Sequence, residues 1–286
     1  MKKVIGFVIS IALLSSCSEV GPNIQPPGNT ALSDTTYIDP NPAVAQQKAV
    51  LIEEFTGVQC SNCPLGHAIV KQLVEDNPGR VVGVSMHSIS ILSDPLPSSS
   101  QDLRNEEAEI VGDDLVVDSK PLASIDRTLN GGFFVSPRFA WGGYVNTQLN
   151  LSTPVNVTIE TAYDAGEREA TISITVQYTS PVNVKNKLSV YLLEDSIETT
   201  QLQPDNSEIE NYLHKDVLRD IVSAPLGDIL PVDGDLYATG RTFKRVYRRA
   251  LEPQWKEEQV KVVAFVHAFE NGSKQVYQTA EVKLGE

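Results

Sequence analysis

The stretch Ala49-Val50-Leu51-Ile52-Glu53-Glu54-Phe55-Thr56-Gly57-Val58-Gln59-Cys60-Ser61-Asn62-Cys63-Pro64 decides how the chain is read. Ala49 to Phe55 is a short apolar run, the pattern of a central strand buried on both faces. Thr56-Gly57 breaks the run and leads to two cysteines separated by two residues. Beyond them Leu65, Ala68, Ile69, Leu73 and Val74 recur at helical spacing, until Asn77-Pro78-Gly79 stops the helix. Arg80 to His87 is a second apolar strand. Strand, helix, strand makes a βαβ unit with the cysteine pair at its first junction.

That position has a chemical consequence. The free N–H groups at a helix start carry partial positive charge, which stabilises a thiolate. Cys60 is expected at an exposed lip and Cys63 about one turn into the helix, near enough to close a small disulfide. Pro64 is tolerated in a first turn. Cys60 would attack a partner disulfide and Cys63 would resolve the mixed intermediate. Three other readings of the pair stay open. It could be a structural disulfide, a weak staple because so short a loop removes little unfolded-state entropy. It could be part of a zinc or copper site made by Cys60, Cys63, His67 and His87. Or the fold could keep the cysteines without the catalysis.

N-terminal to this unit, Lys2 and Lys3 precede the apolar run Val4 to Leu14, which has the length of a signal-peptide core and is too short to span a bilayer. Leu14-Ser15-Ser16-Cys17 resembles the bacterial lipobox, so residues 1–16 are expected to be a lipoprotein signal peptide and Cys17 the lipidated N-terminus. Residues 17–47, with Gln25-Pro26-Pro27-Gly28 and Asp39-Pro40-Asn41-Pro42, read as a flexible linker. No later window approaches transmembrane length. The full chain has 286 residues, 41% hydrophobic and 21% charged, which leaves room for two domains and excludes global disorder. Its net charge of -14 argues against nucleic acid as a partner, and three cysteines are too few for a disulfide scaffold.

On the C-terminal side, Ser98 to Asp102 reads as a capped helix start running through Leu103 to about Ile110. Lys120-Pro121-Leu122-Ala123-Ser124-Ile125-Asp126 follows as a strand. Asn130-Gly131-Gly132 is a hairpin signal, and Ser136-Pro137 opens a helix containing Phe139, Trp141 and Tyr144, with Trp141 as a core anchor. The first domain is expected to span residues 48–150. After Ser152 the period becomes two, at Val155, Val157, Ile159 and Thr161 and again at Ile172, Ile174, Val176 and Tyr178. Leu188 to Leu193, Lys261 to Phe269 and Gln275 to Val282 continue the series. Many short strands without helical pattern predict a β-sandwich over 151–286, with an insertion at about 198–240 that covers one end and carries His214 and Arg219. Arg241, Lys244, Arg245, Arg248 and Arg249 form a basic cluster, expected to complement acidic neighbours on the same surface.

The residues from Val50 to Val74 resemble the thioredoxin-like superfamily. The resemblance implies that Cys60 is the attacking cysteine, Cys63 the resolving one, Glu54 a buried acid assisting proton transfer, and Pro121 a cis-proline in the substrate-docking surface. Gln59 stands where thioredoxins carry tryptophan, and Ser61-Asn62 replaces their Gly-Pro. Over most of the mature chain, the lipobox, the spacer, Phe55-Thr56-Gly57-x-x-Cys60-x-x-Cys63-Pro64 and the segment from Tyr212-Leu213-His214 to Leu218-Arg219 are similar to the Omp-twenty-eight-related outer membrane lipoproteins of Bacteroidota. This resemblance implies an α/β thioredoxin-like domain followed by an all-β immunoglobulin-like sandwich. It also implies an outer-membrane location, on either the periplasmic or the surface face, with the membrane engaged through Cys17. The expected activity is thiol–disulfide exchange or redox sensing on envelope protein thiols or disulfides, with no bound organic cofactor. A receptor- or adhesin-like binding protein and a metal carrier are the alternatives.

Overall fold

A computed structural model describes residues 31–232 and 236–285. The signal segment 1–16 and Cys17 lie outside the described residues. In chain order the first half contains β1 (Ala31–Ile38), β2 (Val50–Phe55), α1 (Cys63–Asp76), β3 (Val81–Met86), α2 (Glu106–Leu115), β4 (Leu122–Ile125), β5 (Ser136–Pro137) and α3 (Trp141–Leu149). The second half contains β6 (Val155–Asp164), β7 (Glu169–Tyr178), β8 (Asn186–Glu194), β9 (Ile197–Leu202) and β10 (Glu208–His214). It ends with β11 (Val217–Ile221), β12 (Asp228–Ile229), β13 (Arg241–Ala250), β14 (Val260–Ala268) and β15 (Val276–Lys283).

The βαβ unit is present: β2 and β3 run parallel, from Val50 opposite Val81 to Phe55 opposite Met86, with α1 between them in sequence. Every residue of β2 is buried, as its apolar run predicts. Gly83 in β3 leaves room for α1, since a Cβ there would lie 2.8 Å from Val70 Cγ1. β4 runs antiparallel to β2, Leu122 opposite Phe55. Two local expectations shift. α2 begins later than the Ser98–Asp102 signal, because Asn105 caps it by accepting the N–H of Ala108 at 2.7 Å. The segment after Ser136-Pro137 makes a short β5 and a 3-10 turn before α3 starts at Trp141, whose buried indole donates to Ser136 O.

The expected fold class, an α/β thioredoxin-like domain followed by an all-β immunoglobulin-like sandwich, is corrected by the sheet topology. The molecule is mostly β, and one nine-stranded sheet runs in the order β15-β14-β8-β11-β3-β2-β4-β5, with β12 beside β8. Strands from both halves of the chain therefore share one sheet. The physical reason lies in β8 and β14, which are apolar on both faces. Leu188, Val190 and Leu192 point into one core with Val260, Val262, Ala264 and Val266. Tyr191, Leu193, Val263 and Phe265 point into another, with Leu51, Phe55, Val84 and the α2 residues Ala108, Val111 and Leu115. A strand with two apolar faces needs cover on both. Here a four-stranded sheet, β1-β13-β7-β6, covers one face and α2 covers part of the other.

Two further expectations change. The linker 17–47 is structured over its later part: β1 pairs antiparallel with β13, Asp34 opposite Arg245, and Gln46 hydrogen-bonds Asn156 and Val157. The edge of β13 offers an unpaired backbone, and β1 takes it. The expected insertion at 198–240 is partly a central element, since β11 bridges β8 to β3 through the pair Val217–Ser85. The basic cluster is largely neutralised on its own surface. Arg245 pairs with Asp34, Arg248 with Glu169 and Arg249 with Asp220. Among the described residues no helix is long and apolar enough to cross a membrane.

Candidate redox site

The turn between β2 and α1 is folded tightly against the loop after β3. Gln59 N–H donates to Leu92 O at 2.8 Å and Cys60 N–H to Gly57 O at 3.1 Å. Gly57 is required there, because a Cβ would run into the Leu92 carbonyl. Cys60 and Cys63 are joined as a disulfide with their Cα atoms 5.3 Å apart. Cys63 is the first residue of α1 rather than a turn inside it, so it stands at the positive end of the helix dipole, although Pro64 has no N–H and the N–H groups of Cys63 and Leu65 already donate to Cys60 O and Asn62 O.

Cys60 does not occupy an exposed lip. It is 3% exposed and Cys63 is fully buried. The β9–β10 hairpin packs on the cysteine turn through Gln201 and Leu202, and the loop after β3 packs on it through Leu92 and Asp94. Gln201 Nε2 donates to Gly57 O at 3.3 Å and to Cys60 O at 3.2 Å. Leu202 N–H donates to Val58 O at 2.9 Å.

Glu54 sits on the α1 side of β2 with Oε1 buried and unpartnered. Burial pushes its carboxyl well above the usual carboxylate range, which favours the protonated form of an acid with no cation beside it among the described residues. Its closeness to the helix depends on Gly66, where a Cβ would collide with Glu54 Oε1 and lie 3.0 Å from the Trp141 ring. The neighbouring Glu53 points to the opposite face of β2 and is ion-paired with Arg127. Adjacent residues of a strand face opposite ways, so one carboxyl is paired and the other protonated.

Lys120-Pro121 is a cis peptide at the head of β4. The register of β4 on β2 sets Pro121 beside Thr56-Gly57, at the start of the cysteine turn. Lys120 Nζ donates to Ser88 O, Ser90 Oγ and Ser93 Oγ, and Ser93 Oγ donates to Thr56 O. Burial lowers the Lys120 ammonium to about 8.

The metal set Cys60, Cys63, His67 and His87 does not assemble. Both sulfurs are spent in the disulfide, and the two nitrogens of His67 meet Thr56 Oγ1 at 2.7 Å and Tyr212 OH at 2.8 Å. Among the described residues no group of three or more His, Cys, Asp or Glu could hold a metal ion. His214, singled out in the sequence with Arg219 but not grouped there with the other histidines, joins this cluster. It stands between His67 and His87, with ring centroids 6.2 and 5.6 Å away. Burial keeps all three rings uncharged at neutral pH, with His67 pushed down to about 3 and His214 to about 4. The backbone of Ser85 lies against His87 and that of Thr199 and Thr200 against His214, which opposes the effect of burial without outweighing it.

A groove of about 800 Å³ opens beside this cluster. Glu54, Pro64 and His67 line it at one end, Val74 and Gly83 lie further along, and Ile209, Tyr212 and Leu213 of β10 form the opposite wall.

Comparison with known proteins adds three findings. The family model described as outer membrane protein Omp28 matches residues 113–286. Curated proteins give no match. Among solved structures, HBP35 of Porphyromonas gingivalis is similar with a TM-score of 0.63 and 18% identity, covering 83% of this chain and 76% of that one. A protein of Agrobacterium tumefaciens follows at TM-score 0.49 and 15% identity, covering 85% and 97%. A domain of the outer membrane lipoprotein Omp28 from Porphyromonas gingivalis gives TM-score 0.31 and 20% identity, covering 46% and 89%. At these identities the HBP35 likeness speaks for the fold.

Proposed function

We propose that this chain, which belongs to the outer membrane protein Omp28 family, is an envelope lipoprotein held to the outer membrane through Cys17, and that it exchanges disulfides with envelope proteins through Cys60 and Cys63. The observation that carries the redox reading is the disulfide at the first turn of α1, backed by a buried, unpartnered acid in Glu54.

The chemistry follows from those parts. A partner thiolate attacks Cys60 Sγ, the Cys60–Cys63 bond breaks, and a mixed disulfide forms. Cys63 leaves as a thiolate, eased by the helix start, and Glu54 supplies its proton. A second partner thiol then attacks the mixed disulfide and releases Cys60 as the second thiol. Two electrons pass from the partner dithiol to the cysteine pair, and the partner leaves as a disulfide. The same steps in reverse reduce a partner. Pro121, beside the turn, contributes to the surface that receives the partner chain.

The test is a Cys63→Ser variant expressed in the envelope. The expected result is mixed disulfides accumulated through Cys60, each released by reductant and lost in the Cys60→Ser, Cys63→Ser double variant. Absence of any trapped partner, together with a reduction potential below the range of exchange catalysts, would reject the reading in favour of a structural disulfide.

A further inference from the structure

The covered disulfide poses a steric problem for the exchange reading, because a thiolate has to approach Cys60 Sγ in line with the bond it breaks. The hairpin packed on its turn belongs to neither large sheet, since β9 and β10 pair only with each other. It touches the cysteine turn mostly through polar contacts. These are Leu202 N–H to Val58 O and Gln201 Nε2 to the Gly57 and Cys60 carbonyls, and a further polar contact, Tyr212 OH to His67 Nδ1, is made to α1. Its apolar anchor is small: Ile197, near its root, packs with Val58, Leu103 and Val217.

β9 is the inner strand of the hairpin, with Thr199, Thr200 and Gln201 buried and hydrogen bonds to Ser98, Ser100 and Gln101, and β10 is the looser outer one. Ile197 and His214, at its two ends, are each 2% exposed, whereas Glu208 to Asn211 and Leu213 are exposed. Pairing is irregular between Ile209 and Tyr212. Outside the two ends lie Ser196 and Asp216, both in the left-handed backbone region at φ 56 and 48. Lys215 Nζ ties the two ends together through Asp195 and Ser196 Oγ.

The bond from Leu202 to Val58 is a main-chain bond of the kind an incoming extended polypeptide makes when it docks by its backbone. We propose that the β9–β10 hairpin is a displaceable occupant of a polypeptide-docking edge, formed by the carbonyls of Gly57, Val58 and Cys60 beside the disulfide, and that the partner is an extended polypeptide taking the hairpin's place. This inference rests on the thiol-exchange reading and adds to it a class of partner and a gate. Discrimination follows: a chain segment that offers a backbone N–H to Val58 O replaces what opening removes, and a small thiol does not.

The experiment follows reduction of the full chain over rising concentrations of dithiothreitol and, separately, of a phosphine. Gating predicts that both rates level off at one common ceiling, set by hairpin opening. Gln201→Ala, which removes about one net hydrogen bond, raises that ceiling roughly fivefold and leaves the equilibrium with dithiothreitol unchanged. Tyr212→Phe shifts the ceiling in the same direction, which guards against a folding defect in the first variant. Rates proportional to reductant throughout, and equal in the variants, would overturn the gate while leaving thiol exchange intact. Failure of every reductant on the native chain and on both variants would overturn the exchange reading as well. For the partner class, Cys63→Ser is trapped through Cys60 with unfolded ribonuclease whose cysteines are carried as mixed disulfides with thionitrobenzoate, so that the Cys60 thiolate attacks a ribonuclease sulfur and thionitrobenzoate leaves. Loss of hydrogen-exchange protection at the Leu202 amide is expected in that adduct, and retained protection would overturn displacement by a polypeptide.

Discussion

Arg127 holds Glu53 through two hydrogen bonds, Nη2 to Oε1 at 2.7 Å and Nε to Oε2 at 2.8 Å, with both side chains withdrawn from water. Tyr191 of β8 completes the group, accepting from Arg127 at 2.8 Å and donating to Glu53 at 3.1 Å. Phe265 of β14 lies 5.0 Å from the guanidinium. The group therefore ties β2 to strands from the far half of the chain, across the shared sheet. Removing one charge would leave the other buried and unpaired. Arg127→Met should cost about 3–5 kcal/mol in urea unfolding, whereas Glu53→Leu combined with Arg127→Met should recover most of that loss. Additive losses in the double variant would refute the pairing argument.

Glu54 differs from Glu53 by one position and by its whole environment. Because it is already neutral, Glu54→Gln keeps the charge and shape of the native side chain and should leave the fold intact. What it removes is a transferable proton. Exchange through Cys60 is expected to slow about a hundredfold, with unchanged cysteine reactivity in the unfolded chain. An unchanged rate in the folded variant would remove Glu54 from the proton path.

How much of this was legible follows from particular residues. The βαβ unit is plain in Val50–Val74, because its strand and helix are local and their periods differ. The strands β6 and β7 are plain for the same reason, each alternating cleanly. Leu188 to Leu193 carries more information than a sandwich strand needs. A run interrupted only by the small Ser189 demands cover on both faces, and an immunoglobulin-like sheet leaves one face wet. The doublet Glu53-Glu54 inside such a run is a signal of the same kind, since each buried charge needs a partner or a proton. The burial of Cys60 has no local trace. One of the groups packed on its turn is Gln201, 141 positions away, and no period or turn signal links the two.

Glu107 offers a test by pH. Burial, with the Asp220 carboxylate nearby, raises it from its ordinary 4.5 to about 7. Between those values the folded chain holds a proton that the unfolded chain has released. Its contribution is therefore fully present below about pH 4.5 and is lost as pH rises towards 7. Glu107→Gln should remove that descending component from a plot of unfolding free energy against pH. A wild-type and variant pair with parallel profiles across this window would contradict the assignment.

His214 works in the opposite direction. Its ring is 2% exposed, burial outweighs the backbone groups of Thr199 and Thr200 beside it, and its folded value of about 4 lies below the ordinary 6.5. As pH falls below 6.5 the unfolded chain takes up a proton that the folded chain refuses, so stability is lost progressively down to about pH 4. His67 and His87 add to the same acid limb through the same burial. His214→Leu removes the titration, and any gain over wild type at pH 7 should be small because the variant also gives up the backbone contacts at Thr199 and Thr200. Its advantage over wild type should widen between pH 6.5 and 4, read as the shift in urea midpoint at several pH values. Were the advantage constant with pH, the ring would already be charged or hydrogen-bonded in the folded state, and the three-histidine cluster would have to be described as a polar network rather than a buried neutral one.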